Sequence, residues 1–255
     1  MAINLNGVRV RPATVAPEPS PPTDSLGAWW RADDAGTVNG ANVTSWTDRS
    51  QYTQTVTVPG GVTAPTWQAS VANLGNRPAV QFAANQGLQL LSPSGFLAGT
   101  AALTVYAVLE IDTFTASALP FYYGPVNPGT FGDDFGLIAL NGPDRIGNSI
   151  YGGSALVTTT GSAKIVQSRA ASNSQWGNSI LTINGEIPSS VSYANPTTVL
   201  NIPSPVGMVG IGGLTGLWDF RGRIAEVLYY SKNHSGNERA KTFLYLSERY
   251  GIPLD

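Results

Sequence analysis

The sequence predicts an all-β fold: an antiparallel sandwich with one C-terminal α-helix and an extended N-terminal arm. Three observations predict it. Short apolar runs of alternating pattern recur from Leu26 to Tyr230, separated by clusters of Gly, Pro, Asn and Ser. No helical stretch alternates with them, which argues against a parallel α/β sheet. Glycine and proline, 29 and 18 of 255 residues, follow no fixed period, and the charged fraction of 12% is about half that of an ordinary soluble domain, so turns and short strands outweigh long solvated helices.

The arm comes first. In "INLNGVRV", Ile3, Leu5, Val8 and Val10 alternate with polar residues around Asn6 and Gly7, and five of the eleven residues from Pro12 to Pro22 are proline. This reads as a short adhesive strand followed by a stiff polyproline-like spacer over residues 1–24, with the folded domain spanning 25–255. Such an arm anchors by adding a strand to a partner's sheet edge, with Ile3, Leu5, Val8, Val10 and Pro12 as its contact residues.

The strands follow. "LTVYAVLEI" sets Leu103, Val105, Ala107, Leu109 and Ile111 against Thr104, Tyr106, Val108 and Glu110, the period of a strand with one face in the core. "SILTINGEI" places Asn184-Gly185 between two runs and predicts a hairpin; "GLIALNGPDRI" does so more weakly, because Pro143 follows Asn141-Gly142. "PAVQF", "AKIVQS", "VGMVGIGG" and "GRIAEVLYYS" supply further strands. The chain then closes on its one clear helix, opened by the capping box Ser235 and Glu238, striped by Phe243, Leu246 and Tyr250, and stopped by Gly251 and Pro253.

Charge and composition narrow the partners. The net charge is -2 and no Lys/Arg block reaches five in a row, so neither nucleic acid nor an anionic membrane meets an electrostatic footprint. The chain has no cysteine and one histidine, His234, which excludes thiol nucleophiles, disulfides and multi-histidine metal sites. The N-terminus lacks the continuous apolar core of a secretion signal and no run is long enough to span a bilayer, so assembly in a host cytoplasm is expected.

In order, "LGAWWRADDA", "VTSWTDRS", "NRPAVQF", "LTVYAVLEI", "LTINGEI" and "GRIAEVLYYSKNHSGNERAKTFLYLSERYGI" resemble the concanavalin A-like, laminin G-like jelly-roll domains of bacterial surface and phage virion proteins, over about residues 26–252. The last of these motifs is the most specific. The resemblance implies a two-sheet jelly roll, a fold used to bind glycans and sometimes to hydrolyse them.

Hydrolysis would need two carboxyl groups about 5 Å apart, one kept protonated. Glu110-Ile111-Asp112 resembles the front half of the Glu-x-Asp-x-Glu signature of jelly-roll β-glucanases, but Phe114 or Thr115 stands where the second glutamate belongs. Glu226, expected on a strand face with Ile224 and Leu228, would be costly to bury unpaired and reads as a structural anchor that accepts hydrogen bonds from an arginine, with Arg31 and Arg77 the candidates, or from loop amides. His234, with no nucleophile or carboxylate marked out beside it, reads as structural or exposed.

Asp133, Asp134 and Asp144 are candidate Ca²⁺ ligands, because the resemblance implies loop calcium sites; solvated loop aspartates are the plainer reading, and no other cofactor is expected. Trp29, Trp30 and Trp46 read as core. Trp176 and Trp218, in polar or Gly-rich stretches, and Tyr122 and Tyr123 are the candidate glycan or protein contacts.

The expected function is a non-enzymatic structural protein of a phage virion, decorating or cementing the capsid through its arm and displaying a lectin-like jelly roll. Its partners would be the major capsid protein or another virion protein and further copies of itself. A tail fibre or spike protein binding a host-surface glycan is the nearest alternative, and a polysaccharide hydrolase the third.

Overall fold

The computed structural model describes residues 19–115, 117–126, 132–140, 144–150, 153–159, 163–213 and 218–255, and the backbone of residues 4–5 and 8–9. In the arm, β1 (Asn4–Leu5) and β2 (Val8–Arg9) pair antiparallel with Leu5 opposite Val8. The described backbone of the arm is thus a small antiparallel ladder and not one extended strand. Ile3, Val10 and Pro12 lie outside the described residues.

The sandwich runs through β3 (Leu26–Arg31), β4 (Ser45–Thr47), β5 (Thr55–Thr57), β6 (Thr66–Val71), β7 (Arg77–Phe82), β8 (Leu88–Leu91), β9 (Leu103–Ile111) and β10 (Ala118–Gly124). It continues through β11 (Phe135–Leu140), β12 (Arg145–Ile150), β13 (Gly153–Thr158), β14 (Ala163–Ala170), β15 (Ile180–Ile183), β16 (Ser192–Ala194), β17 (Met208–Ile211) and β18 (Gly222–Tyr230), and ends in α1 (Gly236–Tyr250). Two antiparallel sheets result. The larger has the order β16-β13-β12-β11-β10-β17-β8-β5-β4 and the smaller β15-β14-β9-β18-β7-β6. One edge of β18 is shared: its start pairs with β7 and its end with β3.

The period-2 pattern explains the layers. Val105, Ala107 and Leu109 of β9 point between the sheets and meet Phe121 and Tyr123 of β10 and Phe135 and Leu137 of β11; Phe96 stacks on Tyr229 at 4.2 Å between ring centroids. The alternate residues Tyr106 and Val108, with Leu228 and Tyr230 of β18, form a second core beneath Phe243, Tyr245, Leu246 and Tyr250 of α1. The expectation of one buried face on β9 therefore becomes two, because the terminal helix covers the side that alternation alone would leave to solvent.

The helix ends follow the sequence. Ser235 Oγ accepts from the Glu238 N–H while Glu238 Oε2 accepts from the Ser235 N–H at 2.8 Å, and Gly251 takes the left-handed conformation at φ 62° that stops the helix. Asn184 and Gly185 turn with φ 49° and 94°, but the returning chain makes only an isolated bridge, Glu186 to Ile183, so β15 pairs instead with the preceding β14. Asn141-Gly142 lies outside the described residues, although the flanking β11 and β12 pair with Leu140 opposite Arg145.

Candidate functional site

The carboxylates that suggested hydrolysis lie on the helix-covered side of the smaller sheet. In β18 a bulge between Ile224 and Glu226 breaks the alternation: Ile224 points into the inter-sheet core, while Glu226 joins Leu228 on the face under α1. Glu226 is 1% exposed and accepts hydrogen bonds from Trp29 Nε1 at 2.5 Å, Tyr245 Oη at 2.7 Å and Tyr250 Oη at 2.8 Å. Burial pushes its carboxyl up to about 7 against the opposing pull of these donors.

Glu226 is held by three donors that the sequence did not mark out, one indole and two phenols. Arg31 is its cross-strand neighbour and pairs with Asp33 at 3.2 Å. Arg77 is directed elsewhere, its Nε donating to the Arg249 carbonyl at 3.3 Å. Arg249 is a further cation beside it, its Nε 3.7 Å from Glu226 Oε2 and its Nη2 2.5 Å from Asp33. Tyr245, Tyr250 and Arg249 belong to a helix read from sequence only as an apolar stripe, and their phenol and guanidinium groups carried no signal of a buried carboxylate.

Glu110 ends the same helix-covered face of β9. It is bound by Arg223 Nη1 at 3.0 Å and Asn73 Nδ2 at 2.7 Å, and the same Arg223 holds Asp112 at 2.6 Å. The two carboxylates of the glucanase-like triplet therefore share one guanidinium, a structural ion pair. His234 is buried, with its backbone N–H donating to Thr104 Oγ1 at 2.9 Å and its Nδ1 3.0 Å from Tyr106 Oη; burial lowers it to about 4, which keeps the ring neutral.

The three aspartates proposed for calcium do not converge. Asp134 precedes β11 and Asp144 precedes β12, so the length of β11, about 20 Å at 3.3 Å per residue, separates them. Among the described residues no three His, Cys, Asp or Glu side chains gather as metal ligands. Asp133 and Asp134 are instead buried near Tyr122, whose hydroxyl burial and these carboxylates push well up.

Three of the four aromatic contact candidates prove to be core. Trp176 is 1% exposed, turned inward by a 3₁₀ turn (Trp176–Asn178) so that it meets Phe135 edge-on at 5.9 Å. Tyr123 packs between the sheets against Phe135 and Tyr229. Tyr122 is buried on the other face of β10, its hydroxyl donating to the Pro125 carbonyl at 2.7 Å. A polar stretch around Trp176 does not expose it, because a large ring gains more by plugging the sandwich than polar neighbours lose.

Trp218 remains partly exposed and lies against Leu119, Tyr122, Met208 and Ile138 on the outer face of the larger sheet. Here register creates a groove. Tyr122, Gly136, Ser149, Ser154 and Ala194 are successive cross-strand partners from β10 to β16; Tyr122 and Gly136 are buried, Gly136 beneath Leu119, and the open floor beyond them is built of Ser149, Ser154 and Ala194. The cavity has a volume of about 290 Å³ and is lined by Trp218, Leu119, Ile138, Asp134, Ser149 and Ser154, among others. Sequence reasoning singled out Trp218 but missed the serines, which are unremarkable until pairing aligns them.

No protein-family model matches the chain, and no curated protein matches it in sequence. Solved structures do match. An arabinofuranosidase complexed with arabinofuranosyl-α-1,2-xylobiose superimposes with a TM-score of 0.62 at 12% identity, covering 91% of this chain and 60% of that one. The likeness is one of fold. Domain 4 of AbnA, a GH43 extracellular arabinanase from Geobacillus stearothermophilus, in complex with arabinotriose, matches with a TM-score of 0.55 at 13% identity, covering 88% of this chain and all of that domain. Trypanosoma rangeli sialidase matches at 0.56 and 17% identity over 92% of this chain and 34% of its own. The chain thus spans about 60% of the arabinofuranosidase and a third of the sialidase. These neighbours are glycan-binding or glycoside hydrolase folds, and the all-β sandwich expected from sequence is the architecture they share with this chain.

Proposed function

We propose that this chain is a non-enzymatic, glycan-binding jelly roll, displayed on a phage virion through its N-terminal arm. The observation that carries the binding half is the groove on the outer face of the larger sheet, with Trp218 partly exposed beside serine hydroxyls, a few polar groups in a largely apolar hollow. The matched arabinanase domain, in complex with arabinotriose, supports it.

The non-enzymatic half rests on where the carboxylates go. Glu226 and Glu110 are committed to Trp29, Tyr245, Tyr250, Asn73 and Arg223 beneath or beside the terminal helix, on the opposite side of the molecule from the groove. The virion half rests on the motif resemblance and on the arm, whose root is fastened to the helix-bearing side.

Incubating the purified full chain with arabinan, xylan, β-glucans and capsular polysaccharide tests the catalytic question. No released sugar is expected, and turnover abolished by Glu110→Gln or Glu226→Gln would overturn the reading. Copy number in purified particles tests the placement: lattice-like abundance supports decoration, and tens of copies or fewer would move the protein to a fibre or spike.

A further inference from the structure

We infer that the groove takes an uncharged, linear oligosaccharide laid across the strands, with one ring stacked on Trp218; this rests on the glycan-binding reading above. Direction comes from the register. The open floor, Ser149, Ser154 and Ala194, crosses two inter-strand spacings, about 10 Å at ~4.8 Å each, and starts beside the wall that Leu119 and Trp218 raise over β10 and β11. A ring seated against Trp218 leaves the floor toward Ala194 for the next ring of a chain that runs across the strands.

Depth comes from Gly136. A Cβ there would meet Leu119 Cδ2 at 2.8 Å and the Phe121 carbonyl at 3.3 Å, so the wall formed by Leu119 leans over the floor only because position 136 has no side chain. The walls are apolar and aromatic, supplied by Leu119, Ile138 and Trp218, while Ser117, Ser149 and Ser154 offer hydroxyls that both donate and accept. That is the mixture a sugar presents in return, with C–H faces beside hydroxyl edges.

Charge separates ligand classes. Among the described residues the lining contains one carboxylate, Asp134, and neither lysine nor arginine. Arg145, on the same face of β12 as Ser149, lies four residues along the strand, about 13 Å away. A sialylated or uronate-rich chain would bring its carboxylates toward Asp134 without a cation to receive them, whereas a neutral chain pays no such penalty.

Trp218 adds an independent mark. It holds φ 56°, a left-handed conformation that is an outlier for a bulky residue, and its carbonyl accepts from the Leu119 N–H at 2.9 Å, which fixes the ring at the groove wall.

The test is calorimetric titration of the full chain with neutral arabino-, xylo- and gluco-oligosaccharides of increasing length, and with sialylated and uronate oligosaccharides. Affinity is expected for a neutral series, rising with length beyond the monosaccharide. Trp218→Ala and Ser154→Tyr, which fills the floor, are each expected to weaken it more than about tenfold without changing the far-UV spectrum. Preference for the anionic series, or neutral binding unchanged in Trp218→Ala, would overturn this inference while leaving glycan binding standing. Wild-type protein that binds no member of either series would sink the glycan reading itself.

Discussion

Trp29, on the first strand of the sandwich, and Glu226, on the last, lie 197 residues apart and are joined by a hydrogen bond from Trp29 Nε1 to Glu226 Oε1 at 2.5 Å. Two tyrosines of α1 complete the same carboxylate, so one side chain ties the first strand, the last strand and the helix together. Removing it takes the acceptor from the buried Tyr245 hydroxyl and the half-buried Trp29 indole, and leaves Tyr250 Oη only the Ala225 carbonyl at 3.4 Å. Glu226→Ala is expected to cost ~3–5 kcal/mol in urea unfolding, the range for breaking a buried polar cluster. A loss below about 1 kcal/mol would show that the cluster is dispensable.

Glu226 and His234 give opposed pH dependences. The Glu226 carboxyl sits near 7 in the fold against 4.5 when free, so its contribution is full below about 4.5 and is lost as pH rises toward 7. His234 sits near 4 against 6.5, so its contribution is full above about 6.5 and is lost as pH falls toward 4. Between about pH 4.5 and 6.5 the two slopes offset one another. Urea midpoints in that window are expected to be nearly level for the wild type, to fall toward acid in Glu226→Gln, and to fall toward alkali in His234→Gln. Identical slopes in all three proteins would refute the assignment.

The two loop tryptophans should separate cleanly. Trp176→Ala empties a core site beside Phe135 and is expected to cost ~3–5 kcal/mol, whereas Trp218→Ala, on the outer face, should stay within ~1 kcal/mol. Thermal unfolding of both variants in parallel checks this, and equal destabilisation would contradict it.

The arm's root is part of the folded domain. Tyr230 Oη donates to the Pro22 carbonyl at 3.0 Å, the Ser231 N–H to the Ser25 carbonyl at 2.9 Å, and Lys232 bridges Asp24 to Glu238 of the capping box. Pro21 is buried. Deleting residues 1–24 is therefore expected to lower stability by ~1–3 kcal/mol relative to deleting residues 1–18, as the buried Tyr230 hydroxyl loses its acceptor. Equal denaturation midpoints would show that the root contributes nothing.

What the sequence by itself determined is local in origin. Period-2 alternation in "LTVYAVLEI", the Ser235–Glu238 capping box and Gly251 depend on neighbours within a few residues, and the strands and helix stand where those signals put them. The tertiary structure decided which way side chains face. One extra residue in the β18 bulge turned Ile224 inward and left Glu226 under the helix, and the helix gave β9 a second buried face. It also decided the candidate site. Ser149, Ser154 and Ala194 become one floor only when β12, β13 and β16 pair in register, and Trp176 and Trp218, alike in their polar or glycine-rich settings, part company because one finds a cavity to fill and the other a sheet face. Such placements depend on contacts between residues far apart in the chain, which no short window of sequence contains.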